Sequence, residues 1–370
     1  MVGDERHSSL GSPPYMKARA KLYRYLLAAS SCLFALFLAE VACRIFFSPS
    51  PTLRFKQDID ELRGMKLDEA TQIIRNDAEL FWQLAPQTTL PANAWPFFGV
   101  VANGQSLRED HEIPLQKPAG ETRILFLGDS CTFGYGVAYD KTFVKVAQSL
   151  LQQRADGPVR CINAGVPGYT LFQGYRRLAT QGLSLQPDLV VLNFGWNDYG
   201  VWDDLGDREH YDQAQASEPP GLLRHSRVAR LLWSAGRSRT TTAGASKERR
   251  PRLLPEEFLE TLEKIHDLTQ ARQITLLILV WPMRDNTRSD VPPTLRSPLQ
   301  VEMIAFGQAH PLSMSARVSG VLDLVPLGRK LVEEHGAPAI YLDHGHVTEA
   351  GHQAIGQAIA DHLAPWLKKE

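Results

Sequence analysis

Residues 123–136 read RILFLGDSCTFGYG, a β-prone apolar run that stops at a glycine and gives way to small polar residues. A short run of this kind reads as a strand buried on both faces and followed by a tight loop. The same pattern returns in VRCINAG (159–165), DLVVLNFG (188–195), ITLLILVWP (274–282) and SGVLDLV (319–325). Between and after these runs, amphipathic helical patterns fit 141–154, 172–183, 256–272, 299–309 and 348–367. Strands alternating with helices predict an α/β fold, a three-layer doubly wound parallel sheet covered on both faces. Ligands of such sheets bind at the carboxyl ends of the strands. No internal repeat is seen.

At those strand ends the polar residues form four blocks. They are Gly128-Asp129-Ser130-Cys131, Asn163-Ala164-Gly165, Gly195-Trp196-Asn197-Asp198 and, before the last helix, Asp343-His344-Gly345-His346. A serine, a histidine with a carboxylate three residues earlier, and an asparagine beside glycine-rich backbone are the parts needed for acyl transfer. Other glycine-loop readings fail in detail. No Lys-Ser/Thr follows to make a P-loop, Gly134-Tyr135-Gly136 lacks the third glycine of a dinucleotide fingerprint, and Gly128-Asp129-Ser130-Cys131-Thr132 lacks the second glycine of a nucleophile elbow.

The blocks resemble the SGNH hydrolases, also called GDSL-type esterases, with the four naming residues falling on Ser130, Gly165, Asn197 and His346 in family order. The resemblance covers about residues 100–370. Anchored variants of the family carry an Asn-Gly-x-Arg lead-in, and Asn103-Gly104-Gln105-Ser106-Leu107-Arg108 is similar, with two extra residues. Cys131 stands where leucine or phenylalanine is commoner, and Val347 replaces the usual leucine after the histidine. The resemblance implies an SGNH/flavodoxin-like sheet and serine-dependent hydrolysis of acyl esters, short-chain or acetyl, through an acyl-enzyme on Ser130. An O-acyltransferase acting on cell-envelope or extracellular glycan is the alternative, because the same residues serve both. A non-catalytic anchored binding or assembly protein is the alternative of another class, and the complete constellation argues against it.

The chemistry assigns each residue a part. A serine hydroxyl attacks at neutral pH only if a base takes its proton, and His346 is the expected base. Asp343, three residues earlier, can reach the distal ring nitrogen in a tight turn, whereas His344 would need its neighbour to fold back on it. The Ser130 and Gly165 N–H groups and the Asn197 amide are the expected oxyanion donors. Asp129 and Asp198 are read as structural, bonding loop N–H groups, and His352 as packing the last helix. Cys131 and Cys161 are read as buried thiols, with a disulfide between them as the alternative. No cofactor or metal is expected, since no His/Cys/Asp group has ligand spacing.

The chain has 370 residues, 44% of them hydrophobic and 22% charged, which excludes intrinsic disorder and leaves ample core. Forty basic residues against 41 acidic ones give no field directed at nucleic acid. Residues 1–47 are expected to be a short tail and a transmembrane helix, from LYRYLLAASSCLFALFLAEVACRIFF at 22–47, which is long enough for ~30 Å of hydrocarbon. A retained anchor is favoured over a cleaved secretion signal because no small-x-small site follows, and Glu40 and Arg44 can neutralise each other one turn apart. Arg6, Lys17, Arg19, Lys21 and Arg24 precede it, so the N-terminus should stay in the cytoplasm and the remainder lie outside. Residues 48–121 read as a juxtamembrane stalk and packed lead-in. The hydrolase domain is expected over 122–370, with insertions at 199–255 and 284–298. In the first insertion, 222–233 reads as an amphipathic helix forming a lid or wall, and 236–250 as disordered. Arg224 to Arg252 holds nine Lys or Arg and one acidic residue; a solvated loop is favoured over contact with anionic lipid or acidic polysaccharide. Trp196 and Trp281 are placed at the mouth of the site.

Overall fold

The computed structural model describes residues 14–46, 73–237, 249–292, 296–309 and 320–367, apart from residues 78, 92, 96, 98, 203, 218 and 220. In chain order the elements begin with α1 (Pro14–Phe46), then β1 (Ile74–Asp77), β2 (Phe81–Leu84), β3 (Thr88–Leu90), β4 (Gly99–Ala102) and β5 (Thr122–Gly128). Next come α2 (Ser130–Phe133), α3 (Phe143–Gln152), β6 (Val159–Asn163), α4 (Leu171–Thr180), β7 (Leu189–Asn193), α5 (Asp207–Ser217) and α6 (Arg227–Arg237). The chain closes with α7 (Pro255–Gln270), β8 (Thr275–Val280), α8 (Pro298–Ala309), β9 (Val321–Asp323), α9 (Val325–His335), α10 (Ala337–Ile340) and α11 (Glu349–Leu367). They divide into two compact units, residues 1–50 with 214–244 and residues 51–213 with 245–370.

The larger unit is built on one five-stranded sheet in the order β6-β5-β7-β8-β9. Every pairing in it is parallel, with Thr122 opposite Val159, Ile124 opposite Leu189, Leu189 opposite Thr275 and Ile278 opposite Val321. Alternate side chains of β5 feed two cores, as a strand buried on both faces must. Leu125 and Leu127 join the layer of α4, α7 and α8, while Ile124 and Phe126 join the layer of α3 and α11. The expected three-layer doubly wound sheet is therefore present, with its strands trimmed so that Gly165 and Gly195 fall in loops. The chain steps from β5 outward to β6 and then back to β7, so the topological switch lies at the ends of β5 and β7.

The lead-in from Ile73 onward belongs to the first of these cores. β1 pairs with β2 and β3 with β4 as antiparallel hairpins, and Ile73, Leu80, Trp82 and Phe97 are buried with the α4 layer. The Trp82 indole donates to the Pro167 carbonyl at 3.0 Å, and the Tyr169 hydroxyl donates to the Trp82 carbonyl at 2.6 Å. These bonds brace the loop that follows β6. The stalk expected before residue 73 lies outside the described residues.

In the smaller unit, α1 is exposed from Lys21 to Leu38. The helix expected over 222–233 is split at Ser226 into a 3-10 turn (Gly221–His225) and α6. Ser226 causes the break by capping, its Oγ accepting the Ala229 N–H at 3.1 Å. Residues 214–244 group with α1 in the smaller unit. The stretch read as disordered falls largely on 238–248, outside the described residues. Cys131 and Cys161 are both free and buried, so the disulfide alternative is not realised.

Because Trp82 is completely enclosed, Trp82→Ala should cost ~3–5 kcal/mol of stability. Chemical unfolding followed by circular dichroism checks this; a loss below ~1 kcal/mol would mean that the lead-in is a detachable flank.

Candidate active site

Ser130 stands one residue beyond the Gly-Asp step that ends β5, as the first residue of the four-residue helix α2. The short helix forms because Asp129 caps it, accepting the Cys131 N–H on Oδ1 at 2.8 Å, and because Gly134 closes it in the left-handed region at φ 89°. From the lead-in, Arg108 reaches the end of this turn. Its guanidinium is fully buried and donates to the carbonyls of Phe133, of Gly134 at 2.8 Å and of Val137 at 2.8 Å, while lying over the Phe133 ring. Burial lowers the pKa of Arg108 to about 9.

The histidine block is equally constrained. Tyr341 and Val347 pair across it, and the Leu342 N–H donates to the His346 carbonyl at 2.8 Å, pinching residues 343–345 into a tight loop. Within the loop, Asp343 Oδ1 accepts the N–H groups of Gly345 and His346, each at 2.9 Å. Its other oxygen, Oδ2, lies 2.7 Å from His346 Nδ1, and His346 Nε2 lies 2.7 Å from Ser130 Oγ. Burial would raise the Asp343 carboxyl, but the hydrogen bond and charge of His346, with the two N–H donors, hold it well below the usual range. The Tyr135 ring stacks on the imidazole with centroids 4.3 Å apart, fixing its plane. The three residues expected to react are thus joined in one hydrogen-bonded chain.

The expected oxyanion donors line the neighbouring strand ends. Gly165 packs so closely on α2 that a Cβ would lie 2.3 Å from the Phe133 nitrogen, so only glycine fits there. Its N–H rests on Asn163 Oδ1 at 3.0 Å. The Asn197 amide nitrogen donates to Asp129 Oδ2 and to the Tyr169 carbonyl, both at 3.1 Å. Asp198 accepts the Leu171 and Gly195 N–H groups at 2.9 and 3.0 Å, holding the asparagine turn. Asp129 and Asp198 therefore bond loop N–H groups as expected, and burial raises their carboxyls to about 6 and about 7.

The remaining candidates are placed apart from the reacting atoms. His344 is exposed and meets the Arg284 guanidinium at 3.1 Å. Buried His352 accepts the Phe143 N–H on Nδ1 at 3.1 Å and stacks on that ring, and burial lowers its pKa to about 3. The Cys131 thiol donates to the Gly345 carbonyl at 3.5 Å, as does the Trp281 indole at 2.8 Å, tying the serine and histidine loops together. Burial pushes the Cys131 thiol well above its ordinary pKa. Glu109, Asp110 and His111, consecutive in the sequence and left out of the expected site, form a group whose ligand atoms lie within 4.8 Å of one another. Lys145 holds both Glu109 oxygens at 2.9 and 2.7 Å and Arg160 meets His111 at 2.7 Å, so the chain's own cations fill it.

A cavity of about 270 Å³ opens beside Asp129 and Cys131, over the ends of β7 and β8. Its walls are chiefly apolar, from Phe194, Trp196, Tyr199, Trp281, Leu299 and Met303, with Asp285, Asn286 and Arg296 among its polar residues. The two expected tryptophans both line it, Trp196 being 57% exposed and Trp281 buried.

Residues 126–354 match the GDSL-like lipase/acylhydrolase family, and the chain belongs to it. It is an ester hydrolase of the SGNH type. Among solved structures, it is similar to a lipase/acylhydrolase from Enterococcus faecalis at 20% identity and TM-score 0.42, covering 66% of this chain and 96% of that one. An acetyl xylan esterase is similar at 15% identity and TM-score 0.41, over 65% of this chain and 98% of that one. A variant acetyl-xylooligosaccharide esterase from Geobacillus Stearmophilus is similar at 15% identity and TM-score 0.41, over 67% and 95% of the two chains. A comparison with curated protein sequences finds no relative.

The elevated Asp129 carboxyl carries a stability consequence with a definite sign. The folded protein takes this proton at about pH 6 and an ordinary aspartate at 3.8, so between those values the folded state binds more protons and loses stability as pH rises. Asp129→Asn lacks that titration. The variant should therefore gain on the wild type by up to about 3 kcal/mol as pH rises through this window, and stay level above it. Urea unfolding of both proteins across the window checks this; a pH-independent difference would show that Asp129 ionises normally.

Proposed function

We propose that this protein hydrolyses acyl esters through a covalent acyl-enzyme on Ser130, with His346 as general base and acid and Asp343 orienting it. The observation that carries the reading is the unbroken chain from Ser130 Oγ through His346 to Asp343, with both contacts at 2.7 Å. As Ser130 Oγ attacks the ester carbonyl carbon, its proton passes to His346 Nε2, and the imidazolium formed is stabilised by the anionic Asp343. Negative charge develops on the carbonyl oxygen. The Ser130 and Gly165 N–H groups and one Asn197 amide N–H are assigned to meet it, Gly165 and Asn197 exchanging their resting contacts with Asn163 and Asp129 or Tyr169 for the oxyanion. The carbon–oxygen bond to the alcohol then breaks as His346 returns the proton to the leaving oxygen. Water, deprotonated by the same imidazole, attacks the acyl-serine, releasing the carboxylic acid and free Ser130.

The substrate reading rests on the cavity lined by Asp129 and Cys131, the residues on either side of Ser130 in the chain. At ~30 Å³ for a water-sized group, about 270 Å³ is several times the room an acetyl group needs, and the apolar walls favour hydrocarbon. Among short-chain esters, a carboxylic acid part longer than acetyl therefore suits this site. The apolar helix α1 is read as a retained membrane span, with the hydrolase unit outside the cytoplasm. Its length, its exposure and the basic residues before it support that reading.

A fluorophosphonate probe should attach to Ser130 alone, since its phosphorus presents the same developing oxyanion as an ester carbonyl. His346→Ala should nearly abolish labelling and His344→Ala should preserve it, as read by mass spectrometry. Absence of an adduct from the folded wild type would sink the acyl-enzyme. With p-nitrophenyl esters of rising acyl length, kcat/KM should climb from acetyl to medium chains and fall again for long ones. Met303→Trp should move the optimum back toward acetyl. A wild-type optimum already at acetyl would reject the cavity as the acyl site while leaving ester hydrolysis intact.

A further inference from the structure

Glu40 is an acid set in the apolar helix α1, and within the smaller unit its carboxylate is fully engaged. Oε1 accepts from Arg44 Nε at 2.9 Å and from the Arg227 N–H at 3.1 Å. Oε2 accepts from Ser226 Oγ at 2.9 Å and from the Val228 N–H at 3.2 Å. Arg44 adds a bond from Nη2 to the His225 carbonyl at 3.2 Å. The Arg227 and Val228 N–H groups belong to the first turn of α6, where backbone donors lack helical partners and negative charge complements the helix dipole. The docking face on α1 is short: Ala39, Glu40 and Val41 are half-buried and Cys43 is 8% exposed, whereas the helix is exposed from Lys21 to Leu38. Glu40 lies six residues from the last residue of α1, or ~9 Å along the axis at ~1.5 Å per residue.

The segment so held is amphipathic. Val228, Leu231 and Leu232 share one face at helical spacing, Arg227 borders that face next to Leu231, and Arg230 takes the opposite side with Trp233 beside it. Leu232 is 68% exposed and Trp233 38%, and Leu222 in the preceding turn is 87% exposed. From Gly221 to Lys247 the sequence carries Arg224, Arg227, Arg230, Arg237, Arg239 and Lys247 and no acidic residue. An acidic polysaccharide would satisfy the arginines and leave the leucines in water. A bilayer interface satisfies both, because an interfacial helix sinks its apolar side ~5–10 Å into the headgroup and acyl boundary, a depth that matches the position of Glu40.

We propose that α6 and the turn before it lie in the interface of the membrane that α1 crosses, leucines toward the acyl chains and arginines against anionic headgroups, at a depth set by the Glu40–Arg44 clasp. The proposal rests on the reading of α1 as a membrane span. It is tested on the full chain, its four cysteines changed to alanine, in vesicles of phosphatidylcholine and phosphatidylglycerol. Single nitroxides enter through Leu36→Cys, Arg230→Cys and Leu232→Cys, and their collisions with oxygen and with a nickel chelate are measured. Positions 36 and 232 should favour oxygen, and 230 should favour nickel several-fold. Lipid-like behaviour at 36 with 232 as nickel-accessible as 230 overturns the proposal; a water-exposed 36 overturns the span itself. Glu40→Ala should raise nickel access at 232 several-fold and leave 36 unchanged, and no change there overturns the clasp. Vesicles of phosphatidylcholine alone should also raise nickel access at 232, and an unaltered value overturns the role of anionic headgroups.

Discussion

A four-residue helix cannot satisfy its own last carbonyls, and the turn that presents Ser130 is such a helix. Buried side chains supply the missing donors: the Asn163 amide donates to the Thr132 carbonyl at 2.9 Å, and the planar fork of Arg108 spans the carbonyls of Phe133, Gly134 and Val137. Much of the lead-in serves that placement. Asn103 Oδ1 accepts the Gln105 and Leu107 N–H groups, shaping the turn before the arginine, and the Arg108 N–H reaches the Asn163 carbonyl at the end of β6. A lysine could not span three acceptors, and water has no access to replace it. The geometry of Ser130 is thus decided some twenty residues upstream of it.

The same economy governs the strand ends. Asp129 bonds both the serine helix and the Asn197 amide, so one buried carboxylate sets the distance between β5 and β7 at the switch point of the sheet. Asp198 couples the asparagine turn to the start of α4, whose first N–H, on Leu171, it accepts. On the other side, Gly345 receives donors from Cys131 and Trp281, which bring the histidine loop down onto β5 and β8. Each oxygen that aligns the site also closes a loop, which explains why buried polar groups cluster there without weakening the core.

The central sheet was legible because parallel strands buried on both faces must be continuous apolar runs, as in LVVLN of β7 and TLLILV of β8. The serine, glycine, asparagine and histidine blocks were legible because each follows such a run or precedes a helix. The lead-in hairpins were not. FWQL of β2 is four residues whose side chains are all buried, so no alternation marks it, and its tertiary contacts lie more than eighty residues away. The bond between Asp129 and Asn197 and the stacking of Tyr135 on His346 are likewise products of tertiary folding. Ser226 offered a local signal, a capping hydroxyl inside an apparently continuous amphipathic pattern, and the helix does break there.

The Cys131 thiol, buried and bonded to the Gly345 carbonyl, bears on the chemical durability of the molecule. Thiolate is the species that exchanges with disulfides and that peroxide oxidises to sulfenic acid, and a thiol held well above its ordinary pKa supplies almost none at neutral pH. Cys161, pushed up to about 12 by burial, is protected in the same way. A cysteine beside the nucleophile is therefore a poor exchange partner even without a second thiol to bridge it. The residue that departs from the commoner pattern at this position gains a hydrogen bond to the histidine loop and brings little redox liability with it.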